Sequence, residues 1–350
     1  MILGIDVGGT HTDAVLIDNF QLIKKAKVPT RRDGIVSSLS EASEQLISGT
    51  AAGDIQRIVI STTLSTNAIV QNKTDRVAMV LLTGPGLAPG SLGMDKDTYF
   101  VQGYVNHRGI PVKNVDEKEI GAVGGEISAK GIRHIGVVGK FSSRNPRQEL
   151  DAAKILGDPS RHISLGHKLS GQLNFPRRIA TTYLNAAIYD IYKDFVEDVR
   201  KFAAKIGPEI PVYVLKADGG TILLDQSVDS PVQTIHSGPA AGIMGILATT
   251  DMKDDAIALD IGGTTTDISV FADGVPLLEP SGVTINDHKT LIRGLYAKSI
   301  GAGGDSVVEV GREGLTVGPR RDGPAAAFNG PVATPTDAMI VLGVAHIGDE

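Results

Sequence analysis

The first seven residues, Met1-Ile2-Leu3-Gly4-Ile5-Asp6-Val7, are apolar but for Asp6. Such a run predicts a buried strand. The chain turns at Gly8-Gly9, Thr12 to Ile17 returns as a second strand, and Gln21 to Val28 predicts a third. From Gly34 to Ile47 apolar residues recur at helical spacing. Ile55 to Ile60 reads as a strand, and Ser61-Thr62-Thr63 can cap a helix running to about Val70. Val77 to Leu82 predicts another strand, whereas Leu87 to Arg108 carries little periodicity and is expected to be irregular. A helix is expected over Val115 to Lys130 despite Gly121, Gly124 and Gly125, then a strand over His134 to Val138 and a helix over Arg147 to Leu156.

The clearest helical pattern runs from Phe175 to Ala204, where Ile179, Tyr183, Leu184, Ile188, Ile191, Phe195, Val199 and Phe202 form one stripe. As a single helix it would span roughly 45 Å at 1.5 Å per residue. Val212 to Leu215 predicts a strand ending at Asp218-Gly219-Gly220. Ser237-Gly238-Pro239 leads into a small-residue helix over Ala240 to Ala248, Ala256 opens a further strand, and Thr336 to His346 reads as a helix. Strands alternating with helices place the chain in the α/β class. A strand–strand–strand–helix opening at residue 1, with a second expected near residue 256, predicts two related domains with a cleft between them.

A short motif occurs twice. Gly4-Ile5-Asp6-Val7-Gly8-Gly9-Thr10-His11-Thr12-Asp13 is matched by Leu259-Asp260-Ile261-Gly262-Gly263-Thr264-Thr265-Thr266-Asp267. Each reads as a strand, an Asp, a Gly-Gly-Thr turn and an Asp opening the return strand. The glycines permit a tight turn and close approach of backbone N–H groups to an anion. The threonines add hydroxyl donors. The first Asp, at a strand end, can hold a hydrated divalent cation against phosphate oxygens. One copy is also explained by an ordinary hairpin. Two copies with matching offsets point to phosphate binding, as if two hairpins gripped one nucleotide from both sides.

Composition narrows the rest. The 350 residues suffice for two domains with their own cores. Aromatic residues are 4% with no Trp, which offers no platform for stacking nucleic-acid bases. The net charge of −6 also argues against binding nucleic acid or an anionic membrane surface. With no cysteine there is no disulfide, thiol nucleophile, iron–sulfur cluster or thiolate zinc site. No apolar run reaches the length of a membrane span and the N-terminus lacks a signal-peptide pattern, so a cytoplasmic protein is expected.

Several stretches, in order, carry a family resemblance. They are the first motif; Thr62-Thr63-Leu64 with Thr66-Asn67-Ala68-Ile69-Val70; Phe141-Ser142 with Arg144-Asn145-Pro146; Thr181-Thr182 with Leu184-Asn185-Ala186; and Asp218-Gly219-Gly220. Ser237-Gly238-Pro239-Ala240, the second motif, Ser299-Ile300-Gly301-Ala302-Gly303-Gly304 and Pro335-Thr336-Asp337-Ala338 follow. With these the chain resembles the actin-like ATPase superfamily and, within it, the hydantoinase/oxoprolinase family. The resemblance implies duplicated ribonuclease H-like domains around a nucleotide cleft, here divided as residues 1–173 and 174–350. It implies ATP and Mg²⁺ as cofactors, ATP-dependent opening of a cyclic amide such as a hydantoin or 5-oxoproline, and a second, separate subunit. Oligomers are compatible with it. The family's later Gly-Gly-Ala-Gly-Pro-like stretch, which closes on the adenosine, is not found, so the second domain is expected to be incomplete. Asp218 stands where Asn is usual, and His11 where an aromatic residue is usual.

The implied site follows. Asp6 and Asp260 hold Mg²⁺, mostly through water, while Gly8, Gly9, Thr10, Thr12, Gly262, Gly263, Thr264 and Thr265 cradle phosphates. Asp13 and Asp267 either orient these groups or fix the hairpins. Thr62, Thr63 and Asn67 are candidate substrate or phosphate contacts, or simple helix capping. Asp218 is the candidate general base for water, against a turn role. Ser237 and Gly238 offer N–H groups to an anion, or cap a helix. Gly301, Gly303 and Gly304 let a nucleotide approach the backbone, or form a turn. His236, His288 and His346 lack metal-ligand spacing. A small-molecule kinase with the same cup, or a non-catalytic ATP-binding subunit, are the alternative readings.

Overall fold

The computed structural model describes residues 1–9, 11–30, 35–49, 52–88, 90, 92, 96–312 and 314–347. Thr10, Gly34 and the last three residues lie outside them. The chain opens with β1 (Ile2–Val7), β2 (His11–Asp18), β3 (Gln21–Pro29), α1 (Ile35–Ile47), β4 (Arg57–Thr62) and α2 (Leu64–Val70). Next come β5 (Val77–Leu82), β6 (Thr98–Phe100), β7 (Tyr104–Val105), β8 (Pro111–Lys113), α3 (Glu117–Ala129), β9 (His134–Gly139), α4 (Arg147–Leu156), β10 (His162–Leu165) and α5 (Gly166–Leu169). Then follow α6 (Phe175–Ala187), α7 (Tyr189–Ile206), β11 (Val212–Leu215), β12 (Thr221–Leu223), α8 (Leu224–Ser227) and α9 (Ser237–Thr249). The remainder is β13 (Ala256–Ile261), β14 (Thr266–Ala272), β15 (Val275–Pro276), β16 (Thr284–Ile285), β17 (His288–Lys289), β18 (Ala297–Ile300), β19 (Val308–Gly311), β20 (Gly314–Val317) and α10 (Pro335–Val341).

These elements fall into two compact units. Unit 1 is Met1–Gly238 with Glu279–Gly294, and unit 2 is Pro239–Leu278 with Leu295–Glu350. The boundary expected at residues 173/174 falls inside unit 1, just before α6.

Unit 1 holds two sheets. The first runs β12-β11-β4-β1-β2-β3. In it β1, β4 and β11 are parallel neighbours, so their carboxyl ends share one edge. Alternation along β1 sends Leu3, Ile5 and Val7 into a core completed by Leu39 and Leu46 of α1 and Phe195, Val199 and Phe202 of α7. Each such buried side chain contributes about 1.5–3 kcal/mol of transfer free energy. The second sheet, β10-β9-β5-β6, is wholly parallel. Every residue of β5 and β9 is buried, as expected where both faces of a parallel sheet are covered.

The single long helix expected from Phe175 to Ala204 is two helices, broken at Ile188 (φ −109°, ψ 8°). The reason lies in what each half covers. Phe175, Ile179 and Ala186 pack with the second sheet's Val77, Met79 and Leu81, whereas Phe195, Val199 and Phe202 pack on the first sheet. A continuous stripe can serve two differently placed sheets only if the helix turns. Three smaller differences are local. β4 begins at Arg57 rather than Ile55 and runs on through Ser61 and Thr62, because these pair with Asp6 and Val7. The stretch expected to be irregular contains β6 and β7. The last helix spans Pro335–Val341 and opens on a reciprocal Thr334–Asp337 capping box.

In unit 2, β14 is flanked by β13, β15 and β18, all antiparallel to it. Three strands do follow residue 256, but β16, not a helix, comes next in the chain. The two hairpins are nonetheless equivalent. β1 pairs with β2 as Asp6↔Asp13 and Val7↔Thr12, and β13 with β14 as Asp260↔Asp267 and Ile261↔Thr266. The equivalents of Leu3, Ile5 and Val7 are Ile257, Leu259 and Ile261. The first three are buried and the second three are exposed.

Candidate active site

The first hairpin closes by a hydrogen bond from the Gly8 N–H to the His11 carbonyl at 3.0 Å. A Cβ on Gly8 would lie 2.8 Å from that same oxygen, so a side chain there meets the turn itself. Thr30 donates to the Gly8 carbonyl at 2.9 Å and shares a 3.0 Å hydroxyl contact with Thr12. Thr12 is fully buried, so its hydroxyl braces the turn from within. The Ser61 hydroxyl donates to the Asp6 carboxylate. Asp13 sits one strand over, with the Lys27 ammonium 2.9 Å from both its oxygens.

The carboxyl end of β4 lies beside this turn. The Thr63 N–H donates to the Val7 carbonyl at 3.2 Å, and Asn67 donates to the Thr63 hydroxyl at 3.1 Å. The Asn67 amide nitrogen would stand 3.3 Å from a Cβ on Gly9. Ser237 clamps the same strand end, donating to the Thr62 carbonyl at 2.9 Å. Gly238 lies against Thr63, whose methyl would be 3.2 Å from a Cβ there. Thr62 and Ser237 are fully buried. Unit 1 therefore gathers Asp6, Gly8, Gly9, Thr62, Thr63, Asn67, Ser237 and Gly238 at the carboxyl edge of parallel strands, the edge where open α/β sheets bind ligands.

Asp218 follows the neighbouring strand β11 and sits in the tight turn to β12, where Gly219 adopts φ +79°. Its carboxylate accepts the Gly220 N–H at 3.1 Å and lies 3.3 Å from the Lys216 ammonium. It also lines a cavity of about 320 Å³ within unit 1.

The second hairpin repeats the closure, with the Gly262 N–H donating to the Thr265 carbonyl at 2.9 Å. Thr265 is the equivalent of His11, and Thr266 that of Thr12. Thr266 is buried and donates to the Ala302 carbonyl at 2.6 Å. Asp260, Thr264 and Thr265 are exposed, and among the described residues no side-chain hydrogen bond or ion pair engages them. Gly242 of α9 comes close, since a Cβ there would be 3.2 Å from the Asp260 carboxylate. Asp267 accepts the Ser299 hydroxyl. The loop after β18 buttresses this turn. Gly304 and Asp305 donate their N–H groups to the Gly262 and Gly263 carbonyls at 2.8 and 2.7 Å, and the Gly303 N–H is taken by Ser306. A Cβ on Gly303 would lie 2.6 and 2.7 Å from those two carbonyls. Gly301 packs against Pro319. These glycines allow loop and hairpin to touch, and the Gly303 and Gly304 amides are already used.

An exposed carboxylate beside unengaged hydroxyls on a glycine turn is a donor set of hard oxygens, which suits Mg²⁺ rather than a softer metal. A different cluster, Asp75, His134 and Asp190, brings potential ligand atoms within 4.8 Å. There the Arg133 guanidinium already pairs with Asp190 at 3.0 Å.

The hydantoinase/oxoprolinase family model matches residues 178–346, and the model of the hydantoinase/oxoprolinase N-terminal region matches residues 2–158. The chain belongs to the hydantoinase/oxoprolinase family. Among its curated relatives are the caprolactamase subunit alpha of Pseudomonas jessenii and the 5-oxoprolinase of Saccharomyces cerevisiae. The first is 26% identical over 97% of this chain and 54% of its own length. The second is 25% identical over 97% of this chain and 31% of its own length. The chain thus spans about half, or less, of the length of these relatives. The nucleotide-free structure of acetone carboxylase shares the fold with a TM-score of 0.80, over 99% of this chain and 55% of that one, at 19% identity. The mixed α/β fold is thus the one that this structure carries.

Sequence reasoning did not single out Thr30 or Lys216, nor Ser61 as a partner of Asp6 and Ser299 as a partner of Asp267. Ser61 and Ser299 reach the hairpins only through strand pairing with β1 and β14, which no local pattern announces. Lys216 carried a local signal, two residues before Asp218.

Proposed function

We propose that this family member acts in the ATP-dependent hydrolytic opening of a cyclic amide, of hydantoin or 5-oxoproline type, through phosphorylation of the amide carbonyl. The observation that carries this reading is the repeated hairpin, with its Asp, glycines and closing hydrogen bond in the same register in both units. An amide is a poor electrophile. Transfer of the γ-phosphoryl group of ATP to its carbonyl oxygen releases ADP and activates the carbon. Water then adds, the ring nitrogen leaves with a proton, and a second water releases phosphate from the acyl group.

Phosphoryl transfer asks the protein for positioning and charge neutralisation more than for covalent help. Asp6 and Asp260 are the residues that would hold Mg²⁺, which when bound neutralises phosphate charge. Gly8, Gly9, Gly262, Gly263, Thr264 and Thr265 line the two turns that contact phosphates. Asp218 takes the proton of the attacking water. The relative named as a subunit supports a second subunit as partner, and no helix among the described residues is long and apolar enough to cross a membrane.

Asp260 is exposed, so Asp260→Ala should leave the circular dichroism spectrum and melting temperature unchanged. Phosphate release coupled to ring opening should fall roughly a hundredfold or more. Activity at the wild-type rate would defeat this assignment, and a stable phosphorylated product in place of free phosphate would favour the kinase reading.

A further inference from the structure

The cavity beside Asp218 has a volume of about 320 Å³, within the range of small-molecule sites. Leu169, Val232, Leu291 and Ile292 give it an apolar side. Lys216, Asp218 and Arg293 give it charge. One wall is an excursion of the later chain, residues 279–294, which unit 1 holds firmly. The Leu291 N–H donates to the Thr181 hydroxyl at 2.9 Å, and Arg177 donates to the Ser281 and Thr290 carbonyls at 2.6 and 3.1 Å.

The charges are unequal. Two cations line the cavity against one carboxylate, and Lys216 is already 3.3 Å from Asp218. Arg293 is exposed, and among the described residues no carboxylate pairs with it. A cavity with an apolar side, one engaged carboxylate and one unengaged guanidinium suits a small ring that carries its own negative charge. A planar guanidinium meets a carboxylate through two parallel hydrogen bonds.

We propose that this cavity receives the cyclic amide and that Arg293, with Lys216, selects rings bearing a carboxylate. The inference rests on the cyclic-amide reading, but its test requires no turnover. The apolar side covers the ring methylenes, Arg293 pairs with the carboxylate, and Asp218 keeps the role of base for the attacking water.

Calorimetry with 5-oxoproline and with 2-pyrrolidinone, the same ring without the carboxylate, decides it. Titrations are run with and without a non-hydrolysable ATP analogue and Mg²⁺. The wild type should bind 5-oxoproline at least about tenfold more tightly than 2-pyrrolidinone. Arg293→Gln should erase most of that preference without changing 2-pyrrolidinone binding, and Arg293→Lys should restore part of it. Equal affinity for the two rings, an unchanged preference in Arg293→Gln, or no binding of either ring under both conditions overturns the proposal. The same samples report on the nucleotide. Lost analogue binding with intact ring preference strikes the ATP reading alone, and the converse strikes only the cavity.

Discussion

Asp6 and Asp260 occupy equivalent corners of two hairpins, yet their settings differ. Asp6 is held by the Ser61 hydroxyl from the neighbouring strand, whereas Asp260 projects from an exposed turn. A partner that fixes a ligating carboxylate sharpens its orientation. Ser61→Ala should therefore lower Mg²⁺-dependent nucleotide affinity by about tenfold, measured by calorimetry, with little effect on melting temperature. A second prediction concerns His162, whose ring stacks on Tyr189 with centroids 3.3 Å apart. Burial lowers its pKa to about 4, and the neighbouring His134 pushes the same way against an opposing Asp190. The unfolded chain thus binds the His162 proton more readily than the folded one between about pH 6.5 and 4. Stability should be full above that window and fall through it on acidification, by up to about 3 kcal/mol. Urea unfolding at pH 7 and pH 4.5 checks this, and His162→Phe should flatten the difference.

At the scale of elements, the hairpins were legible because everything that makes them is local: a strand, two glycines, a hydroxyl and an Asp at fixed spacing. Gly8→Ala should cost about 1–3 kcal/mol and weaken nucleotide binding, since its methyl would meet the His11 carbonyl. Urea unfolding and calorimetry measure the two effects. What stayed hidden was non-local. The stripe from Ile179 to Phe202 is continuous in sequence, and only the presence of two sheets breaks it at Ile188. β11 lies beside β4 across about 150 residues of chain, so nothing near Asp218 revealed that it shares an edge with Thr62 and Thr63. Thr265 and Thr266 were indistinguishable by composition. Strand register gives Thr266 the buried position of Thr12 and leaves Thr265 at the turn.

For the whole molecule, the chain passes from one unit to the other three times, at residues 238/239, 278/279 and 294/295. Val283, Ile285 and Ile292 from the excursion fill a core with Ile69, Leu184, Ile188 and Val232. A chain of residues 1–238 should therefore be less stable than one in which residues 279–294 are rejoined to it by a short Gly/Ser linker. Thermal melts of the two should differ by several degrees.

The duplicated strands carry one further consequence. Leu3, Ile5 and Val7 are dry, while their counterparts Ile257, Leu259 and Ile261 face outward along a strand at the margin of its sheet. Such a margin is adhesive. Self-association through that face is the expected outcome, read as a sedimentation coefficient that rises with protein concentration.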